Sequence, residues 1–202
     1  MVPATRRALL SGAAATLAGL AGCSGSSSSS SSSPPDDPEN LDTDPASVGI
    51  RHPEGAAVAW LGERPTPTGD RPLPGHESEL IATAETASTL DFADVDGVDA
   101  MRSFADDTDF ERETLLLERH RVGECFELAI CAVTWSPASY HTYWTRQLRP
   151  ADDACQAEAH DRVATLVRIP AVIDPSQLKS AGARMSRGSC SKYLTELEEA
   201  DG

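Results

Sequence analysis

The sequence predicts a small β-rich α+β domain: an antiparallel sheet or sandwich with one or two short helices, stapled by two disulfides. Three observations predict it. From about residue 48 onward, short apolar or alternating runs recur between glycine and proline punctuation, the pattern of strands and turns. Residues 96–105 instead space Val98, Met101 and Phe104 like the buried face of a helix. Four cysteines, Cys125, Cys131, Cys155 and Cys190, are interleaved with those runs.

The 202-residue chain opens differently. Met1-Val2-Pro3-Ala4-Thr5-Arg6-Arg7 precedes a run of small and apolar residues over 8–21. A membrane-spanning helix needs about 20 residues, so this run is short for a span and suits a signal peptide. Thr5-Arg6-Arg7-Ala8-Leu9-Leu10 resembles the twin-arginine export signal, and Leu20-Ala21-Gly22-Cys23 resembles a lipobox. The resemblance, to exported lipoproteins of halophilic archaea, covers residues 5–23 alone. It implies that residues 1–22 are a signal peptide directed by Arg6 and Arg7. It also implies that the Cys23 thiol accepts a diacylglycerol-type lipid. Two chains suffice for stable anchoring where one is marginal.

Residues 24–33 are nine serines and a glycine, followed by Pro34-Pro35-Asp36-Asp37-Pro38. Such a segment has no apolar surface to bury, so residues 23–47 are expected to form a disordered tether. Its root-mean-square reach is on the order of 25 Å.

Residues 48–202 are then expected to fold as a single extracytoplasmic domain. Residues 56–61 read as a short buried strand ended by Gly62, and residues 78–83 as another. Residues 113–122 carry Leu115-Leu116-Leu117 and stop at Gly123. Residues 125–135 alternate, with Phe126, Leu128 and Ile130 on one face and Cys125, Glu127, Ala129, Cys131, Val133 and Trp135 on the other. Ser136-Pro137-Ala138 turns the chain, and residues 140–148 return. Residues 162–169 form a further strand closed by Pro170, and Asp174-Pro175 opens a second short helix by the cap-then-proline rule.

An even set of cysteines in an exported domain reads as disulfides. On one extended strand, Cys125 and Cys131 stand about 20 Å apart, far beyond the ~6 Å between bridged Cα atoms. Folding the hairpin at Pro137 brings Cys125 level with residue 149, so Cys155 is its nearer partner. Cys131 is left for Cys190. A four-thiolate zinc site is the weaker reading, because the sequence has no C-x-x-C knuckle.

Charge narrows the environment. Acids outnumber bases by 32 to 17, a net charge of -15, and of the bases only Lys179 and Lys192 are lysines. Such self-repulsion destabilises a compact chain unless salt screens it, and at molar salt the Debye length is roughly 3 Å. The balance points to a halophilic source and excludes nucleic acid as a partner, which needs a positive footprint.

Residues able to carry chemistry are few. Asp91-Phe92-Ala93-Asp94-Val95-Asp96-Gly97-Val98-Asp99 is spaced in part like a calcium loop, but Phe92 and Ser103 fall where the first and last carboxylates belong. A solvated acidic turn is the better reading. His52, His76, His120, His141 and His160 fall singly, and no spacing assembles the three ligands of a catalytic metal, so neither a metal nor a cofactor is expected. Trp135, Tyr140, Tyr143 and Trp144 crowd the hairpin, as a binding platform or as cross-strand packing. No nucleophile elbow, P-loop, dinucleotide fingerprint or haem motif occurs. A blue-copper site is excluded because Ser191-Lys192-Tyr193 follows Cys190. The sequence therefore points to a membrane-anchored envelope module without enzymatic activity, bound to the membrane through Cys23 and to an unknown envelope partner. The alternative is a small hydrolase or metal-dependent enzyme built on His120, His141 or His160.

Overall fold

The computed structural model describes residues 40–53, 56–65 and 75–200. Arg6, Arg7, Cys23 and the serine run lie outside the described residues. Among the described residues no helix is long and apolar enough to cross a membrane.

The central layer is an antiparallel sheet in the order β2 (Ser47–His52), β9 (His160–Ile169), β6 (Thr114–Gly123), β4 (His76–Ile81). The triple leucine of β6 explains why both its faces are covered. Leu115 and Leu117 enter one core with Ile50, Ile81, Met101 and Ala105, while Leu116 enters another with Val133, Trp135, Trp144 and Val167. All three leucines are fully buried. A run apolar on consecutive residues is what a strand with two buried faces requires.

The first face is closed by α2 (Val98–Asp106) and by a two-stranded ribbon of β3 (Ala59–Leu61) and β5 (Leu90–Phe92), with α1 (Ala84–Ala87) alongside. Met101 and Ala105 are the buried stripe of α2. Arg168 of β9 donates to the Phe104 carbonyl at 2.8 Å, lying over its ring. A cation thus meets the orphan carbonyls of the helix C-terminus.

The second face packs on a sheet in the order β1 (Asn40–Asp42), β7 (Phe126–Ser136), β8 (Ser139–Leu148), β10 (Ser180–Arg187), forming a sandwich. β7 and β8 are the expected hairpin about Pro137. β10 joins β8 in parallel, after a 3-10 turn at Pro175–Gln177 capped by Asp174. On the outside of this sheet lies α3 (Cys190–Ala200), a third helix beyond the one or two expected. Cys131–Cys190 and a ring contact between Tyr143 and Tyr193 join it to the sheet.

Both disulfides have the partners expected from strand geometry: Cys125–Cys155 with Cα atoms 5.1 Å apart and Cys131–Cys190 at 5.0 Å. They close separations of 30 and 59 residues.

Two expectations are corrected. Strand β1, Asn40–Asp42, lies inside the segment 23–47 read as a tether. β1 pairs Asn40–Asp42 with Asp42 opposite Val133, and the Asn40 amide donates to the Trp135 carbonyl at 3.3 Å. Edge pairing through backbone groups leaves no apolar period for the sequence to display; Leu41 is largely exposed. The strict alternation read into β7 also fails. Ile130 faces Trp144 but Ala132 faces Tyr143, so Cys131 is an extra residue, a β-bulge. The bulge reverses side-chain parity. Leu128, Ile130, Val133 and Trp135 therefore all reach the sandwich core.

Candidate functional site

One end of the sandwich interior is polar, and strand pairing puts it there. In the β4–β6 ladder His76 stands opposite His120, Ser78 opposite Glu118 and Leu80 opposite Leu116. Alternation along each strand carries all six toward β8. The apolar pair at Leu80 and Leu116 belongs to the sandwich core. The two polar levels beyond it hold the candidate site.

Glu118 is the hub and has no exposed surface. Its Oε2 lies 3.1 Å from His120 Nε2 and 3.7 Å from His76 Nε2. Its Oε1 accepts the Thr142 hydroxyl of β8 at 2.7 Å, and Thr142 Oγ1 in turn accepts the Trp144 indole N–H at 3.0 Å. The Tyr140 hydroxyl closes the polar layer by donating to Ser78 at 3.1 Å. The rings of His76 and His120 are 4.7 Å apart, and those of His120 and Trp144 are 4.9 Å apart.

Burial by itself would raise the Glu118 pKa, since it penalises the charged form. Hydrogen bonds from His120 and Thr142, the nearby His76 imidazole and the charge of His120 overcome it and hold the carboxyl at about 2. A carboxylate therefore persists inside the sandwich. His120 is as deeply buried, whereas the His76 side chain, on an edge strand, is 36% exposed.

His76, Glu118 and His120 are the one group of three or more His, Cys, Asp or Glu side chains, among the described residues, whose donor atoms converge. These atoms all lie within 4.8 Å of one another. This overturns the expectation that no three ligands assemble. Spacing along the chain does not reveal a cross-strand pair, and the strand expected over residues 78–83 stops short of His76. One signal was available: Glu118 and His120, two residues apart on a strand, must share a face.

The other sequence candidates lie apart. His141 is half-buried beside β10, its Nε2 3.3 Å from the Ser180 hydroxyl, and burial followed by the nearby Arg184 lowers its pKa. His160 Nδ1 lies 3.0 Å from the Glu158 carbonyl. Only His120 of the three histidines considered for an enzyme joins the converging group.

The aromatic cluster is not an exposed platform. Trp135, Tyr140 and Trp144 fill the sandwich core, and Tyr143 is buried on the opposite face beneath α3. The aspartates at 91, 94, 96 and 99 form no converging group. Instead, Gly97 caps α2 with φ +89°. No protein-family model, curated protein or solved structure matches this chain.

Proposed function

We propose that this chain is an envelope lipoprotein of a halophilic archaeon, exported by the twin-arginine route and held by a lipid on Cys23. Its folded domain then stands on the outer face of the cytoplasmic membrane as a non-enzymatic binding or structural module. One observation carries this reading: the chain has five cysteines, and four of them pair within the domain as Cys125–Cys155 and Cys131–Cys190. Such bridges belong to oxidising, extracytoplasmic compartments. They leave Cys23, within the lipobox-like Leu20-Ala21-Gly22-Cys23, as the single thiol for lipid.

The acidic balance supports a saline exterior. The module reading is supported by the separation of His141 and His160 from His120. The test is fractionation of the native host expressing Cys23→Ser. The variant is expected in the medium or as an unprocessed precursor, whereas wild type sediments with membranes. Mature-length Cys23→Ser retained on membranes like wild type would refute the anchor.

A further inference from the structure

We propose that His76, Glu118 and His120 bind one divalent transition-metal ion, zinc by preference. The inference rests on the folded domain alone and goes beyond the envelope role. A tetrahedral zinc with bonds of 2.0–2.1 Å places its ligand atoms about 3.3 Å apart. The two edges from Glu118 Oε2, 3.1 and 3.7 Å, bracket that value. Final closure falls to His76, the one of the three whose side chain reaches solvent.

Donor chemistry selects the ion. Two imidazole nitrogens and one carboxylate oxygen suit zinc and its first-row neighbours, whereas calcium and magnesium call for oxygen ligands. The surroundings are those of a supported centre. The Thr142 hydroxyl fixes the free oxygen of Glu118, the Trp144 indole fixes Thr142, and the His120 ring contacts those of both His76 and Trp144. Hydrogen-bonded partners of this kind orient metal ligands.

Three protein ligands leave a fourth position on the His76 side, open to water or a donor from another molecule.

The full chain, purified without a polyhistidine tag and stripped with chelator, is titrated with zinc by calorimetry and with cobalt(II) by visible spectroscopy. We expect one equivalent of each, tetrahedral cobalt bands that zinc abolishes, and no displacement by excess magnesium or calcium. His76→Ala, a substitution at a part-exposed edge position, should keep a native circular dichroism spectrum. It should weaken zinc binding by at least about 10-fold, the lower bound even for an outer-shell partner. Glu118→Gln should remove the cobalt bands. Wild type without saturable zinc binding, or a folded His76→Ala that binds zinc as tightly as wild type, overturns the proposal.

Discussion

Gly97 illustrates how one residue answers to constraints far along the chain. Its φ of +89° is a backbone state that side chains other than hydrogen strain to adopt. A Cβ there would also stand 3.1 Å from Ile50 Cγ2, on β2. The acidic letters around it suggested a partial calcium loop, yet its work is to turn the chain into α2 against the sheet. Gly97→Ala should therefore destabilise the domain by about 1–2 kcal/mol, read by chemical denaturation. Added calcium should leave the midpoint of either protein unchanged; a calcium-dependent rise in the wild type alone would restore the loop reading. The aspartates and the turn were legible in the sequence. The neighbour at Ile50 was not, because the contact exists only once β2 pairs with β9.

Among the elements, β7 shows most clearly how a local irregularity reorganises a strand. Without the bulge at Cys131, Leu128 and Ile130 would face away from the core that holds Val133 and Trp135. The bulge also sets Cys131 on the outer face, where Cys190 meets it and Thr145 lies within 3.7 Å of both sulfurs. α3 is thereby fastened to β7 and β8. Replacing Cys131 and Cys190 together by serine should reduce stability by about 2–4 kcal/mol. Hydrogen exchange should quicken throughout α3 while β6 and β9 stay protected. Undiminished protection in α3 would mean that the Tyr143–Tyr193 contact holds the helix unaided. The long strands β6 to β9 could be read from apolar pattern and turn residues, because each buries at least one face. β1 and β10 could not: they sit at sheet edges, and their pairing is a backbone affair that leaves little mark on residue type.

At the scale of the whole molecule, charge governs. With 32 acids against 17 bases, one-to-one pairing leaves 15 carboxylates without a lysine or arginine partner. The cations present are placed with care. Arg51 meets Asp161 at 2.6 Å, and Arg168 reaches Glu113 at 3.9 Å. Both contacts are partly buried, so salt screens them weakly, whereas the long-range repulsion among the remaining acids is screened strongly. Moving the protein from molar to about 0.1 M salt should lower its melting temperature by at least about 2–4 °C, the shift that 1 kcal/mol produces in a chain of this size. A melting temperature that is constant or rises on dilution would contradict the halophilic reading.

The sequence by itself determined the β-rich class and most of the long strands, and favoured the disulfide partners that the structure shows. Each of these follows from short-range rules: the period of a strand, the residues of a turn, and the length of an extended segment that keeps Cys125 from Cys131. Only the tertiary structure decided which faces meet and which polar groups share the interior. His76 and Glu118 carry no mutual signal along the chain. They become neighbours because β4 pairs with β6 in one register, and because β8 lies across that face with Thr142 directed at the carboxylate.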